Sequence, residues 1–381
     1  LPGNHTTRQI NMNKCKYFLS PVILVLSSFQ VQAENGRSDY DIDNNGLIEI
    51  NDLADLNAMR YSLNGTYLYG SSAGCPEDGC FGFELTTDLN FDTNGDGILN
   101  SADAYWNNGA GWIPVGSIGD TFTAQLHGNG HVIYNFYVNR PNTDFIGLIA
   151  SVENSIINDV HFRGPLSAIT GSRYVAPLAG RIINTQIINS SADIDIYAYG
   201  TVSGGLIGSA ENSSIIRHSY AQGNITAESW RNGGLAGRLL ASSVIEGSFA
   251  TGNISSTGRS TSGAMSGGLV GAVQEQSRVS NSFATGKVKG YSSASSLIGT
   301  MTQSFVDHSF ATGHVTYDST QSPAGLIGNI SSDGGEYISY NHWATDTTGR
   351  TNMVNGTLYT ATGNAGATLV QMQCPAAGSD T

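Results

Sequence analysis

Short apolar segments alternate with Gly, Asn and Ser along most of this 381-residue chain. Many of the apolar residues are β-branched, and they do not recur with the 3.6-residue period of an amphipathic helix. Such segments, bounded by turn residues, predict short β-strands. Residues 122–138 show the pattern, since a turn at Gly128 and Gly130 is followed by Ile133, Phe136 and Val138, which we expect to point inward as in the first coil of many parallel β-helices.

The apolar segments recur with a period close to 30 residues from residue 147 onwards. A phrase of the type Gly-Leu-Ile-Gly occurs seven times, and its leucines lie 28 to 34 residues apart. Self-similarity at this period is the signature of stacked repeats. The seven marker leucines are Leu148, Leu178, Leu206, Leu235, Leu269, Leu297 and Leu326.

A second phrase, of the type Ser-Phe-Ala-Thr-Gly, follows the marker leucine in the later copies. Its aromatic residue lies 14 residues after the leucine in most of them and 13 in one, whereas the distance from the Ile or Val that closes the phrase to the next leucine varies from 9 to 15 residues. Length variation therefore falls on one corner of the unit, which we expect to be a solvent-facing loop. The four corner loops are 226–233, 255–266, 289–295 and 316–323.

These observations predict an all-β fold, a parallel β-helix (β-solenoid) with coils of about 30 residues and three short strands per coil. The solenoid would occupy residues 122–345, after an N-terminal calcium-loop and capping region at 34–121 and before an extended, truncated segment at 346–381. The marker leucines would form one buried column. A second column would contain the aromatic residues Phe162, Tyr220, Phe249, Phe283, Phe310 and Tyr340.

The two phrases resemble the GLUG repeat of exported bacterial surface proteins over roughly residues 147–345. The resemblance implies a scaffold of the kind found in adhesin-like proteins and beside peptidase domains, and it carries little information about chemistry. The second copy departs from the pattern with Ala192 in the aromatic position, and the sixth has Ser296 in place of the leading Gly.

The N-terminal segment predicts export. Residues 12–33 combine Lys14 and Lys16, an apolar stretch at 17–29 and a small-residue cleavage pattern that ends at Ala33. A membrane anchor is the weaker alternative, because the apolar stretch is shorter than the roughly 20 residues that a span needs. Residues 1–11 precede Met12 and are interpreted as upstream translation. We expect a secreted or cell-surface bacterial protein without an integral membrane segment in its mature chain.

Export permits disulfide bonds. Cys75 and Cys80 flank a short turn with Pro and Gly, and we predict that they pair. Cys15 leaves with the signal peptide, so Cys374 has no evident partner.

Two segments match the twelve-residue calcium loop, in which alternate side chains and one main-chain carbonyl surround a Gly at position 6. The ligands predicted in the first loop are Asp41, Asp43, Asn45, the Leu47 carbonyl, Glu49 and Asp52. Those predicted in the second loop are Asp92, Asn94, Asp96, the Ile98 carbonyl, Asn100 and Asp103. The alternative for each loop is an acidic Asx turn that only resembles a site.

The calcium loops favour a structural role. Both have Asp at position 12, as in extracellular dockerin-like loops, but they start 51 residues apart, which is too far for the close duplication of a dockerin. Millimolar extracellular calcium would occupy even a weak site.

The composition narrows the range of partners. The formal net charge is −13, which argues against a nucleic-acid partner. We therefore expect an adhesion or interaction module for an extracellular glycan or protein. The residues expected to make contact in the corner loops are Trp230, Arg231 and Tyr291, since aromatic and Arg side chains anchor interfaces.

The alternative function is a calcium-dependent polysaccharide lyase or glycoside hydrolase of the β-helix type. Such an enzyme needs an acid and base pair, and the hydrolase needs two carboxyl groups at a defined separation. Within the repeats, Arg217 and Glu246 are expected to be neighbours on adjacent coils. A solvent-facing ion pair explains them better than catalysis does.

Overall fold

The computed structural model describes residues 37–228, 230–257, 264–317, 323–331, 336–354 and 361–372. Within them the chain is a parallel β-solenoid with about seven stacked coils and little helix. The upstream segment 1–11, the signal peptide 12–33 and Cys374 lie outside the described residues. In the part of the chain described, no helix has the length and apolar character needed to cross a membrane.

Five parallel sheets run along the stack, and a complete coil contributes one strand to each in turn. Sheet 1 contains Leu47–Ile50, Gly82–Leu85, Gln125–His127, Ile156–Asn158, Gln186–Ile188, Ile215–Arg217, Val244–Glu246, Arg278–Ser280, Phe305–Asp307, Tyr337–Ser339 and Ala361–Thr362. Sheet 2 contains Leu89–Asn90, Val132–Tyr134, His161–Arg163, Ser191–Ala192, Tyr220–Ala221, Phe249–Ala250, Phe283–Ala284, Phe310–Ala311, His342–Ala344 and Ala365–Ala367.

Sheets 3, 4 and 5 complete the coil. Sheet 3 contains Tyr137–Arg140, Ala168–Gly171, Asp195–Ala198, Ile225–Ala227, Ile254–Ser256, Val288–Gly290 and Val315–Tyr317. Sheet 4 contains Val202–Gly204, Arg231–Gly233, Met265–Gly267 and Ser293–Ser295. Sheet 5 contains Ile149–Glu153, Ala179–Ile183, Ile207–Glu211, Ala236–Leu239, Val270–Gln274, Ile298–Thr302 and Ile327–Ile330. The prediction of three strands per coil was thus too low.

The described helices are short. They are α1 (Leu53–Ala58), α2 (Thr345–Thr348), α3 (Leu369–Met372) and the 3₁₀ turns Met59–Tyr61 and Asn107–Gly109. Helix α1 and the turn after it bury Leu53, Leu56 and Met59, the apolar face expected from their spacing.

The stack begins inside the predicted capping region. Leu47–Ile50 pairs in register with Gly82–Leu85, which in turn pairs with Gln125–His127. The first coils are filled by large buried side chains, among them Phe83, Trp112 and Phe122. The calcium-loop segment therefore forms part of the same stack as the repeats.

The marker leucines form the predicted buried column, because all seven are fully buried. The amide of Leu206 donates to the carbonyl of Leu235, and the amide of Leu235 donates to that of Leu269, both at 2.9 Å. Equivalent leucines therefore lie directly above one another.

The aromatic column differs from the prediction in membership and in burial. Tyr220, Phe249, Phe283 and Phe310 stack with ring centroids 4.8 to 4.9 Å apart, but they point outward, and Phe310 is 37% exposed. In the two repeats that contain Leu148 and Leu178, the segment between the leucine and the aromatic position is one residue shorter than in most later repeats. As a result His161 and Ser191 occupy this position, and Phe162 and Ala192 point into the core.

Tyr340 is also outside the aromatic column. His342 pairs with Phe310, while Tyr340 lies at the preceding corner with φ of 56° and stacks on His308.

The recurring serine of the second phrase forms a buried ladder between coils. The hydroxyls of Ser219, Ser248, Ser282 and Ser309 each accept the backbone N–H of the ladder serine one coil earlier at 3.1 Å, and the Ser190 hydroxyl accepts the Val160 N–H at 3.2 Å. Each hydroxyl donates to the carbonyl two residues before itself. These hydrogen bonds satisfy amides at a buried corner, where an unpaired donor would cost about 1 to 3 kcal/mol. The ladder runs through Ser190, Ser219, Ser248, Ser282 and Ser309.

The last glycine of the first phrase permits close packing of sheet 5 on sheet 4. A Cβ atom added to Gly271 would lie 2.6 Å from both the Asn232 nitrogen and the Gly237 oxygen. A Cβ on Gly299 would lie 2.8 Å from the Ser266 nitrogen of sheet 4. Backbone atoms cannot move aside as a flexible side chain can. The glycine is therefore required by sterics between the sheets.

We predict that Gly271→Ala destabilises the protein by about 3 kcal/mol, because the methyl group overpacks this contact. The matched control is Gly119→Ala, where the nearest atom to the added Cβ is 3.9 Å away. Thermal unfolding followed by circular dichroism measures both variants. Equal melting temperatures for the two would contradict the packing argument.

Candidate functional site

The first calcium loop has a tightly hydrogen-bonded centre. The Asp41 carboxylate is fully buried and accepts the backbone N–H groups of Asn45 at 2.9 Å and Gly46 at 2.8 Å. Gly46 has φ of +84°, as the sharp turn at loop position 6 requires. The Asn45 side chain donates to Asp43 at 3.0 Å, so three predicted ligands lie together.

The other predicted ligands of this loop lie in a strand or at the start of helix α1. Leu47 begins the first strand of sheet 1. Glu49 lies in the same strand, is 5% exposed, and accepts the Ile42 N–H through Oε1. Asp52 is exposed and serves as the N-cap of α1, since its Oδ1 accepts the N–H groups of Ala54 and Asp55 at 2.8 Å.

Glu84 is a neighbour that the loop pattern did not identify. It lies directly beside Glu49 in the next strand of sheet 1. Its two carboxylate oxygens accept from the side-chain amides of Asn45 at 3.2 Å and Asn129 at 2.8 Å. Glu49, Glu84 and Asn129 also line a cleft of about 400 Å³ with Asp43. Only the pairing of these two strands would have indicated Glu84, and a local sequence motif does not contain that information.

Burial and neighbouring charges both act on Glu49 in the first loop. Burial raises the pKa of Glu49, and the nearby charges of Glu84 and Asp41 raise it further, although the Ile42 N–H opposes this. Two additional carboxylates therefore act on a buried carboxyl group.

In the second loop the predicted ligands converge. Asp92 accepts the N–H groups of Gly95 and Gly97 at 3.0 Å, and Gly97 has φ of +80°. Asp96 Oδ2 accepts from the side-chain amides of Asn94 and Asn100 at 3.0 and 3.3 Å.

Asn100 and Asp103 complete the second loop. The Asn100 amide also reaches the Ile98 carbonyl at 3.2 Å. Burial raises the pKa of Asp103, but N–H groups of Asn100, Asn94 and Thr93 more than compensate and hold that pKa below its ordinary value. Asp103 is thus a buried carboxyl group that accepts from several N–H donors.

The carboxylates alone do not make a metal centre. In the described residues, no group of three or more His, Cys, Asp or Glu side chains is arranged to hold a metal ion. Calcium binding would thus depend on amide and carbonyl oxygens together with the carboxylates, as in loops of this type. It stays a prediction.

Cys75 and Cys80 form a disulfide bond with their Cα atoms 5.3 Å apart, the pairing that the sequence favoured. Cys80 Sγ lies 3.7 Å from Asp41 Oδ2. The disulfide ring therefore packs against the first calcium loop.

The corner between sheets 3 and 4 carries exposed aromatic side chains. We call it the variable edge and define it by Tyr199, Glu228, Trp230 and Tyr291. Tyr199 is 46% exposed and Trp230 is 38% exposed, and Tyr291 is partly exposed. Tyr199, Glu228 and Tyr291 each follow the sheet 3 strand of their own coil, so they share one line along the solenoid.

Arg231 lies in the sheet beside the variable edge and not in the exposed corner itself. It begins a strand of sheet 4, and its Nε atom is buried without a hydrogen-bond partner. Burial lowers the pKa of Arg231, and the charge of Arg238 lowers it further. Of the predicted contact residues, Trp230 and Tyr291 are accordingly better placed to reach a ligand than Arg231.

Arg217 and Glu246 form the predicted ion pair across adjacent coils. Their nitrogen and oxygen atoms lie 3.0 Å apart, and both side chains are about two-fifths exposed. An exposed pair of this kind contributes under about 1 kcal/mol. The geometry is that of a surface ion pair.

Comparisons with known proteins give partial similarity. No protein-family profile and no solved structure match the chain. A 123-residue stretch, 31% of the chain, is 31% identical to Halomucin of Haloquadratum walsbyi and covers 1% of that protein. A 65-residue stretch, 17% of the chain, is 31% identical to a protein of Evansella cellulosilytica whose name describes it as a Gly-rich membrane protein, and covers 8% of it. The chain thus spans a small fraction of these relatives.

We predict that chelation of calcium destabilises the chain by about 3 kcal/mol, the linkage expected for an ion present at roughly 100 times its Kd. Asp96→Asn should remove one bound calcium ion, because it neutralises a carboxylate at the centre of the second loop. Calcium titration and thermal unfolding with and without chelator are the measurements.

The control for this experiment is Asp120→Asn, which neutralises an exposed carboxylate outside both loops. It should bind as much calcium as the unmodified chain. An unchanged melting temperature after chelation would rule out structural calcium.

Proposed function

We propose that the protein is a secreted or cell-surface β-solenoid, stabilised by calcium, that acts as an adhesion or interaction module for an extracellular glycan or protein. The observation that carries this proposal is the variable edge. It is the corner at which coil length varies, and it presents Tyr199 and Trp230 to solvent.

The chemistry of the edge suits recognition. Tyr199 packs against Tyr197 with ring centroids 4.7 Å apart, and the Tyr197 hydroxyl donates to Glu228 at 2.9 Å. An aromatic side chain fixed in this way can contact the apolar face of a sugar ring. The neighbouring carboxylate can accept hydrogen bonds from the sugar hydroxyl groups. Large, rigid aromatic side chains are also typical anchors of protein interfaces.

The other recurring residues have structural roles, which agrees with a scaffold function for the repeats. The recurring Leu, Ser and Gly residues are explained by the core column, the inter-coil ladder and the sheet contact. The stacked aromatic column offers ring edges to solvent, because each ring covers the face of the next. A sugar could therefore not lie flat on it.

Two further observations are compatible with this proposal. The repeat phrases resemble those of adhesin-like surface proteins, and one partial relative is named as a membrane protein. A net charge of −13 favours cations over nucleic acid as companions.

We predict that Trp230→Ala and Tyr199→Ala each weaken binding to the best ligand from a panel of plant and marine polysaccharides by about tenfold or more, as expected for buried anchors of an interface. The control is Tyr337→Ala, which removes a 63% exposed aromatic side chain from sheet 1. Binding is measured on immobilised polysaccharide, with unfolding curves for all three variants.

The same polysaccharides should not be degraded. Release of reducing sugars or unsaturated uronates by the unmodified chain would favour the polysaccharide-degrading alternative. Loss of binding in Tyr337→Ala alone would place the interaction surface elsewhere.

A further inference from the structure

Four carboxylates lie around the first calcium loop, although among the described residues they do not form a group arranged to hold a metal ion. The cationic side chain of Arg37 is near them, but it donates to the Glu49 main-chain carbonyl at 3.1 Å and pairs with Asp55. Asp41, Asp43 and Glu49 come from the loop and its strand, and Glu84 comes from the next coil. Asn45 joins the two groups, since its side-chain amide donates both to Asp43 at 3.0 Å and to Glu84 at 3.2 Å. Among the described residues, none of the four carboxylates takes part in an ion pair.

Glu49 supplies a second, independent observation. Its side chain is 5% exposed, and its Oε2 atom is buried without a hydrogen-bond partner. A buried charged oxygen without a hydrogen-bond partner is unfavourable unless a cation or a donor meets it. Glu49 lies beside Glu84 in register, and like charges opposite each other on neighbouring strands are also destabilising.

The neighbour on the other side does not neutralise Glu84. His127 is its partner in the next strand of sheet 1. Its Nε2 atom lies 3.2 Å from the Gln125 side-chain oxygen. Burial lowers the pKa of His127, although the charge of Glu84 opposes this. A bound cation would supply the missing positive charge.

Asp52, which the loop pattern places at position 12, is committed elsewhere. Its Oδ1 accepts two N–H groups at the start of α1, and its side chain is exposed. Calcium needs six to eight oxygens, and a loop that loses one carboxylate needs a replacement.

We propose that Glu84 is a ligand of the first calcium ion, in the role that the loop pattern gives to Asp52, so that the ion joins the first coil of sheet 1 to the second. This inference rests on the proposed calcium binding and adds the identity of the ligand. It also makes the site dependent on the stack, because Glu84 reaches the loop only when Gly82–Leu85 is paired with Leu47–Ile50.

The test is calcium titration by calorimetry on the full chain after removal of metal with a chelator. The unmodified chain should bind two calcium ions. Glu84→Gln should bind one, at the second loop, and its first site should be weakened at least 100-fold. Asp52→Asn should still bind two, because Asn caps a helix about as well as Asp does.

Asp43→Asn is the positive control, since Asp43 is a ligand under either assignment. Glu84→Asp keeps the charge and shortens the side chain, so it should weaken the first site by about tenfold without losing it. Circular dichroism and calcium binding at the second site show whether Glu84→Gln folds. If it does not fold, the affinity of Glu84→Asp decides whether Glu84 is a ligand.

The outcomes separate the two proposals. Two calcium ions at unchanged affinity in Glu84→Gln, or loss of one in Asp52→Asn, would overturn the role of Glu84 and leave calcium binding standing. If the unmodified chain binds no calcium at the first loop, that site is absent and the inference fails with it.

Discussion

The hydrogen bonds between successive coils are the interaction on which the rest of this structure depends. They run along the solenoid axis and hold each residue above its counterpart one coil away. Every side chain must therefore tolerate its own neighbour at about 4.8 Å. Leucines in the core, serines at the buried corner and flat aromatic rings on the outside meet this condition. Charged residues meet it through opposite charges on adjacent coils, as in Arg217 and Glu246.

This constraint also limits where the molecule can recognise something else. A residue that recurs in every coil is occupied by its neighbours above and below, as the stacked aromatic rings and the serine hydroxyl groups are. Residues outside the repeat pattern are free of that requirement. In the described part of the chain they concentrate at the variable edge and in the first coils. Tyr199 and Trp230 belong to the first group, and Glu49 and Glu84 belong to the second.

The parallel β-solenoid and its leucine column could be predicted because two recurring phrases fixed the period and the register. The prediction of the aromatic column was wrong at Phe162 and Tyr340. The repeat that contains Phe162 is one residue shorter in a segment without a recurring phrase, and the repeat that contains Tyr340 is longer. The five sheets were missed because the glycine phrase is a tight turn between two short strands, and glycine does not signal strand. At the calcium loop, the local pattern found Asp41, Asp43 and Asn45, but Glu84 is 35 residues further along the chain than Glu49 and is brought in only by strand pairing.

The first predicted calcium loop precedes the first strand of sheet 1 in the described residues. The first strand of a solenoid has one edge without a partner, and such an edge can pair with another chain unless it is covered or fixed. Here Leu47–Ile50 has the first loop at its start and α1 at its end, and Asp52 begins that helix. A cation held by residues of both Leu47–Ile50 and Gly82–Leu85 would oppose separation of these two strands, the first pair of sheet 1 in the described residues.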